Sequence, residues 1–163
     1  MSQSPGQARA ARIAPYLCAD AAWVQAAHVD HYTRAHGFDA RFGAAVAAAI
    51  AEARRVGWIA RAGDRRVGSL FLTREDGDAV RLRLVFVVAE WRGRGLGRRL
   101  LDIAEAAAQR DGATRMVVAT HAEHAAAGRL YARAGFHLGQ ARPVVSFGQA
   151  LTEQHWEKRL AGF

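Results

Sequence analysis

The most informative stretch of the sequence is the run Val85-Phe86-Val87-Val88-Ala89-Glu90-Trp91-Arg92-Gly93-Arg94-Gly95-Leu96-Gly97-Arg98-Arg99. Its first four residues are apolar on both faces, which predicts a buried strand. Three glycines then stand at alternate positions. From position 96 onward, five apolar residues share one face of an amphipathic helix: Leu96, Leu100, Ile103, Ala104 and Ala107. The pattern therefore predicts a strand that runs through a glycine-rich turn into a helix N-terminus.

A turn of this kind is typical of an anion site. Glycine has no Cβ, so an anion can approach the backbone N–H groups, and the helix dipole favours negative charge there. Arg92, Arg94 and Arg98 add positive charge, and together these features favour a diphosphate. The spelling matches neither the Gly-Lys-Ser/Thr of a Walker loop nor the Gly-x-Gly-x-x-Gly of a dinucleotide fold. The alternative is a plain glycine-rich turn with solvated arginines.

The composition indicates one compact domain. The chain has 163 residues, a net charge of +8 and 51% hydrophobic residues, which suit a single core and argue against disorder. No apolar run reaches the roughly 20 residues of a membrane span, and the N-terminus lacks a signal segment. Cys18 is the only cysteine, as is common in reducing compartments. We therefore expect a cytoplasmic protein with a disordered N-terminus at 1–8 and one domain at 9–163.

The basic charge has two interpretations. Lys158 is the only lysine among 23 basic residues, so the arginines reflect a coding bias as much as a function. A phosphate-rich partner, either nucleic acid or a phosphorylated cofactor, is the alternative. Most arginines are scattered among acidic residues, and no recognition helix or basic tail is evident, so a nucleic-acid binder has the least support. The one concentrated group comprises Arg92, Arg94, Arg98 and Arg99.

The remaining chain predicts an α+β fold. Two helices come first, the first with Asp20 as its N-cap, and three antiparallel strands and the glycine-rich segment follow. The predicted segments are helices at 20–32, 40–56, 96–110 and 122–134, and strands at 58–61, 67–73, 80–88, 115–120, 136–142 and 154–160. This order favours one mixed sheet with helices on its faces.

Two motifs resemble those of the GCN5-related N-acetyltransferase (GNAT) superfamily. Arg92, Gly95 and Gly97 fill the Arg/Gln-x-x-Gly-x-Gly/Ala pattern of that family's acyl-CoA pyrophosphate loop. The segment 124–136 is similar to its Asn-x-x-Ala-x-x-Leu-Tyr-x-x-x-Gly-Phe helix, with His124 in place of Asn. The resemblance implies a GNAT fold, an α/β sandwich with a mixed, mostly antiparallel sheet of six to seven strands. That sheet is splayed after the fourth strand and flanked by about four helices.

A closer resemblance extends over most of the chain. The segments 27–42, 81–84 and 146–151 look like the acetyltransferase half of bacterial proteins that fuse a MarR-type regulator to a GNAT domain. The regulator half is absent from this sequence, so the resemblance implies no DNA-binding role.

The family resemblance also implies an activity. It predicts an acetyl-CoA-dependent N-acetyltransferase in which a primary amine attacks the thioester directly. The backbone of Val85, Phe86 and Val87 would bind the pantetheine arm. The residues expected to contact the rest of the cofactor are Arg92, Gly93, Arg94, Gly95, Leu96, Gly97, Arg98 and His124. Tyr131 occupies the family's general-acid position; packing of this tyrosine on the core is the alternative.

The general base is harder to assign. Arg81 and Ala119 stand where family members carry a catalytic Glu, so neither common carboxylate is present. His121 follows the fifth predicted strand and could take a proton as a neutral imidazole; a solvent-facing histidine is the alternative. The missing carboxylates also leave open a catalytically weak acyl-CoA-binding module.

The acceptor site is expected near the end of the first helix. His28, Tyr32 and Phe38 are the candidate substrate-binding residues, which suggests a small amine or an amino-acid-like acceptor. The pairs His28-x-x-His31 and His121-x-x-His124 lack an evident third ligand, so no metal is expected. The expected partners are acetyl-CoA and the amine, with no nucleic acid and no membrane. The oligomeric state stays open, with a homodimer as one candidate.

Overall fold

The computed structural model describes residues 10–53 and 56–161, which form one sheet with helices on both faces. The disordered terminus predicted for 1–8 lies outside the described residues. The strands are β1 (Arg12–Pro15), β2 (Gly57–Ala62), β3 (Arg65–Arg74), β4 (Ala79–Val87), β5 (Arg115–His121), β6 (His137–Ser146) and β7 (Gln149–Arg159). The α-helices are α1 (Ala21–His36), α2 (Arg41–Ala53), α3 (Leu96–Arg110) and α4 (Ala125–Arg133).

The sheet has the strand order β1-β2-β3-β4-β5-β7-β6. Every neighbouring pair is antiparallel except β4 and β5, which are parallel and joined by the crossover helix α3. These two strands pair only from Ala79–Arg115 to Arg81–Val117, whereas β5 pairs with β7 along its whole length. The predicted mixed sheet and its splay after the fourth strand are therefore confirmed.

The alternation of side chains along β2 and β3 divides the core into two layers. Ile59 and Phe71 pack with residues of α1 and α2 on one face. Ala60 and Leu70 point the other way and pack against α3. The predicted apolar stripe of α3 is confirmed at Leu96, Leu100 and Ala104, which are all buried, so both faces of the strands next to the splay are covered.

The first helix differs from its prediction at both ends. It continues to His36, because nothing before Gly37 breaks it, and Gly37 then ends it in the left-handed conformation with φ 67°. The extension puts His28, Tyr32 and His36 at a spacing of four on one helical face. Asp20 makes no side-chain cap; its buried carboxylate instead accepts hydrogen bonds from Leu17 N–H, Arg61 and Arg66.

The predicted strands miss β1 and shorten the last hairpin. The four residues of β1 are too few to show an alternating pattern, and they pair only with β2. Strands β6 and β7 meet at a tight turn in which Phe147 and Gly148 have φ of 53° and 79°. Phenylalanine rarely adopts that conformation, so the sequence does not predict this turn. Pro143 is accommodated because β6 is an edge strand.

Candidate active site

The candidate site is the cleft that opens where β4 leaves β5. It has a volume of about 520 Å³ and is lined from both sides of the sheet. Tyr131 and Ala127 of α4 line one side. Residues of α1, α2 and the β6–β7 turn line the other, among them Tyr32, Val46 and Phe147. The cleft therefore brings Tyr131 of α4 together with the predicted acceptor region.

A β-bulge shapes the β4 wall of this cleft. Ser69 pairs with Phe86 and Phe71 with Arg83, so β4 has one residue more than β3 in this interval. The extra residue is accommodated at Leu84, whose φ is 52°. The buried Ser69 hydroxyl donates a hydrogen bond to the Leu84 carbonyl at 2.8 Å. No sequence signal predicted this bulge, since leucine seldom adopts a positive φ.

The bulge lies on a strand edge that is open toward the cleft. Within the described chain, no strand pairs with the β5-facing edge of β4 beyond Arg81. This open edge includes Val85, Phe86 and Val87, the residues predicted to bind an extended ligand through their backbone. The Phe86 side chain is buried on the α1 side against His28, at a ring distance of 5.0 Å. Except at the Val87 carbonyl, which accepts a hydrogen bond from Arg92, this edge is free to bond a ligand laid along it.

The glycine-rich turn leads into the N-terminus of α3, as predicted. Gly93 and Gly95 have φ of 74° and 78°, and a Cβ built on either would meet no atom within 4 Å. No side chain caps the helix, so the N–H groups of residues 95–98 lack a partner in the helix. Gly97 has a different constraint, because its Cβ would lie 3.1 Å from Leu130 of α4.

The arginine side chains of this segment contact different partners and do not converge on one site. The Arg92 guanidinium donates to the Val87 carbonyl at 3.0 Å and lies 3.5 Å from His31 Nε2, so it fastens the end of β4 beside α1. Arg94 stacks on Trp91 at 4.9 Å. Arg98 donates to Asp102 and to the Arg133 carbonyl, at 3.0 Å each. The arginine side chains therefore do not converge on the predicted anion site, whereas the backbone N–H groups at the start of α3 do lie together there.

Tyr131 reaches the cleft from α4. It is only 3% exposed and packs against Phe136, with ring centroids 5.6 Å apart. Burial, with a further contribution from Tyr32, raises the pKa of Tyr131. None of the described residues accepts a hydrogen bond from its hydroxyl. The group is therefore protonated. The packing of the ring on the core is as expected for one sequence-based alternative, and the role of Tyr131 as a general acid stays a prediction.

His28 is held in one protonation state. Its Nδ1 lies 2.8 Å from the Val24 carbonyl, so this nitrogen carries the proton and donates it. Burial lowers the pKa of His28 to about 4, because a charged imidazole loses its hydration there. The Nε2 atom is buried without a partner among the described residues. His28 therefore presents a neutral ring to the cleft, with an acceptor lone pair on the side opposite Val24.

Four further histidines lie in or near the cleft: His121 and His124 line it, and His36 and His31 are in ring contact with this group. His36 and His124 are in ring contact at 4.1 Å, and His121 and His124 at 5.3 Å. Burial lowers the pKa of each, and Arg92 lowers those of His31 and His36 further. For His124 the pKa falls to about 4. Glu153 and Glu123 partly oppose the lowering at His121, so this imidazole remains the better proton acceptor of the pair from β5 and α4.

An aromatic group forms the floor of the predicted acceptor region. Phe38 is 3% exposed, so it mainly supports the floor. Its ring lies 5.1 Å from both Phe42 and Phe147. Phe42 and Phe147 were not predicted as lining residues, although both lie in segments, 27–42 and 146–151, that carry the closer family resemblance. Within residues 10–53 and 56–161, no group of three metal-ligating side chains could hold a metal ion.

The buried neutral His28 predicts a loss of stability in acid. Its pKa falls from 6.5 to about 4 on folding, so the unfolded chain binds more protons between these values and stability falls as the pH drops through 6.5 toward 4. We expect a loss of about 2 kcal/mol from His28 between pH 7 and pH 5. Urea unfolding at both pH values measures it. His28→Gln should remove this share of the pH dependence; an unchanged pH dependence would contradict the assignment.

One family of known proteins matches more than half of this chain. Residues 53–138, slightly more than half of the chain, match the family described as the acetyltransferase (GNAT) domain. No curated protein matches significantly. No helix in the described part of the chain is long and apolar enough to cross a membrane.

Several solved structures share the fold. An acetyltransferase of the GNAT family from Staphylococcus aureus Mu50 is 17% identical, with a TM-score of 0.79 over 93% of this chain and 100% of that chain. A putative acetyltransferase from Salmonella typhimurium, solved with its cofactor acetyl-CoA, is 23% identical, with a TM-score of 0.73 over 94% and 95%. The ribosomal-protein-S18-alanine N-acetyltransferase from Escherichia coli is 18% identical, with a TM-score of 0.73 over 94% and 96%.

Proposed function

Since the chain belongs to the GNAT acetyltransferase family, we propose that it transfers the acetyl group of acetyl-CoA to a primary amine. One observation carries the proposal. At the splay of β4 and β5, one cleft brings together an open strand edge and the buried Tyr131, beside a helix N-terminus with free N–H groups. Each feature meets one need of the reaction: binding the extended arm, protonating the leaving sulfur and holding the diphosphate.

The residues present fit acetyl-CoA. The N–H groups of residues 95–98 would bind the diphosphate, and the open space around Gly93 and Gly95 leaves room for its oxygens. The edge of β4 at Val85, Phe86 and Val87 would bond the amides of the pantetheine arm. The Salmonella typhimurium structure, which holds acetyl-CoA in the same fold, supports this assignment.

When bound, acetyl-CoA supplies an activated acyl thioester. Backbone N–H groups beside the bulge at Leu84 would donate to its carbonyl oxygen and stabilise the negative charge that develops there. The neutral imidazole of His121 would accept a proton from the amine, directly or through water. As the C–N bond forms and the C–S bond breaks, Tyr131 would give its proton to the sulfur. His124 and His28, with pKa values of about 4, are weaker bases than His121.

The acceptor is proposed to be a small amine or an amino-acid-like molecule. His28, Tyr32 and Phe38 lie where the acceptor would enter, and His28 Nε2 could accept a hydrogen bond from it. We place the reaction in the cytoplasm, where acetyl-CoA is available and a free cysteine such as Cys18 stays reduced.

The alternative function, a catalytically weak acyl-CoA-binding module, draws on one observation. Arg81 and Ala119 both line the cleft in positions where a carboxylate base would stand, and Arg81 is paired with Glu75. In this alternative, acetyl-CoA binds but no amine accelerates release of the thiol.

A turnover screen distinguishes the two functions. Purified protein is incubated with acetyl-CoA and, separately, with amino acids, polyamines, aminoglycosides and peptides with free N-termini, while thiol release is followed. The expected result is amine-dependent release with at least one class. Calorimetric binding of acetyl-CoA serves as the control. Binding without amine-dependent release across the panel favours the module, and absence of binding contradicts both functions.

A further inference from the structure

Two arginines in the cleft have no part in the proposed chemistry. Arg81 and Arg83 alternate with Leu82 on β4, so both side chains lie on the face opposite Leu82, which belongs to the core against α3. Both line the cleft. Arg83 directly precedes the bulge residue Leu84, and its guanidinium reaches Glu52 of α2 at 3.1 Å. It therefore stands on the acceptor side of the sheet, next to the proposed reaction centre.

Two of the three charged side chains that line the cleft are arginines. Among the described lining residues, the formal charges belong to Arg81, Arg83 and Glu153. Glu153 already accepts hydrogen bonds from Arg142 and His155, and Arg81 donates to Glu75. The single carboxylate of this lining thus already faces two basic side chains, Arg142 and His155, which makes it less available to a second cationic group of an acceptor. The charge distribution therefore disfavours polyamines and aminoglycosides.

Arg83 remains open to an anionic ligand. Only one of its N–H groups, at Nη1, is used by Glu52, and the side chain of Glu52 is 61% exposed. An ion pair with so exposed a partner contributes little, and a guanidinium has further donors that can hold a carboxylate in two-point geometry. A carboxylate that enters the cleft can thus share or replace Glu52.

One wall of the cleft, formed by α2 and the β6–β7 turn, is largely apolar. Phe42 and Phe147 are in ring contact at 5.2 Å, and α2 contributes the small side chains of Ala45 and Ala49 together with Val46. These residues leave room for an apolar group and offer it no polar partner. The acceptor region thus combines one cationic point with an apolar surface.

We propose that Arg83 binds a carboxylate of the acceptor, and that the acceptor is an aminocarboxylic acid with an apolar body, as in an apolar amino acid. The inference rests on the proposed acetyl transfer and names its substrate class. The carboxylate is held at Arg83, the apolar group packs on Phe42 and Phe147, and the amine is directed toward the thioester beside the bulge.

Matched acceptors test this proposal. L-Phenylalanine and L-leucine are each compared with their amides and with the corresponding decarboxylated amines, and spermidine is added as a polycation. We expect kcat/KM to be about 10- to 100-fold higher for the amino acids, as for a charged hydrogen-bonded contact. The α-amine of an amino-acid amide is a weaker base than that of the amino acid and is more deprotonated near neutral pH, so a preference for the amino acid over its amide cannot arise from the fraction of free amine.

Substitutions test whether the preference for amino acids depends on Arg83. Arg83→Gln should raise KM for L-phenylalanine about 10-fold or more while leaving phenethylamine and acetyl-CoA affinity unchanged. Glu52→Gln, which frees the guanidinium, should lower KM for L-phenylalanine. Arg74→Gln is the matched control, at an exposed position of β3 outside the cleft. It should change neither the KM for L-phenylalanine nor the affinity for acetyl-CoA.

Equilibrium binding separates the two proposals. Calorimetry with L-phenylalanine and phenethylamine, in the presence of CoA, reports acceptor preference even without turnover. Binding or acetylation that is equal or stronger for phenethylamine, spermidine or the amides overturns the carboxylate site while leaving acetyl transfer intact. The same follows if Arg83→Gln leaves the preference for L-phenylalanine unaltered. Failure of acetyl-CoA to bind, with L-phenylalanine still bound through Arg83, instead overturns the proposed function.

Discussion

Replacing Tyr131 by phenylalanine is expected to lower kcat by about 100-fold or more, because a positioned general acid contributes that much to a proton transfer. The substitution removes only the hydroxyl. The ring contacts with Phe136 and Trp156 are kept, so the fold and the affinity for acetyl-CoA should change little. Steady-state kinetics with the best acceptor of the screen, together with calorimetric binding of acetyl-CoA, measures both quantities.

Tyr16→Phe is the matched control for this substitution. Tyr16 is partly buried against Phe71, with ring centroids 4.9 Å apart, and it lies outside the cleft lining. Its variant should keep full activity. A Tyr131→Phe protein with normal kcat would remove the hydroxyl from the mechanism and leave Tyr131 as a packing residue. A protein that loses acetyl-CoA binding as well would show that the hydroxyl holds the cofactor and does not act as the acid.

The elements that carry local patterns were predictable from the sequence. The strand, glycine-rich turn and helix at 85–110 have apolar periodicity and conformationally special residues in the same short segment, and the structure places them as expected. Helix α4 is likewise marked by its small residues and by Gly135, which has φ of 92°. The splay of β4 from β5 was not visible in either strand; it came from the family resemblance that these segments support.

The features that shape the acceptor side could not be predicted in this way. The bulge depends on Leu84 adopting an unfavourable φ that the rest of the sheet, including Ser69, holds in place. The aromatic floor joins Phe42 of α2 to Phe147 of a distant turn, a contact that depends on tertiary packing alone. The hydrogen bond from the Arg92 guanidinium to the Val87 carbonyl was not predictable either, because it depends on how the chain turns back after β4.

Replacing Gly95 by alanine is expected to weaken acetyl-CoA binding by about 100-fold. The added Cβ would occupy the open space before α3, where the diphosphate oxygens would approach the backbone. It would also oppose the φ of 78°, at a cost of about 1–2 kcal/mol to folding. Calorimetry with acetyl-CoA and urea unfolding of the same variant separate these two effects.

Gly77→Ala provides the comparison that isolates the anion site. Gly77 lies in the turn before β4 with φ of 70°, and its Cβ would also meet no atom within 4 Å. Both variants should therefore lose a similar free energy of unfolding, but only Gly95→Ala should lose acetyl-CoA affinity. Equal affinity in the two variants would mean that the turn merely starts the helix. A selective loss at Gly95 would show that the free N–H groups of α3 hold the cofactor, because the arginines beside them are unchanged and bond elsewhere.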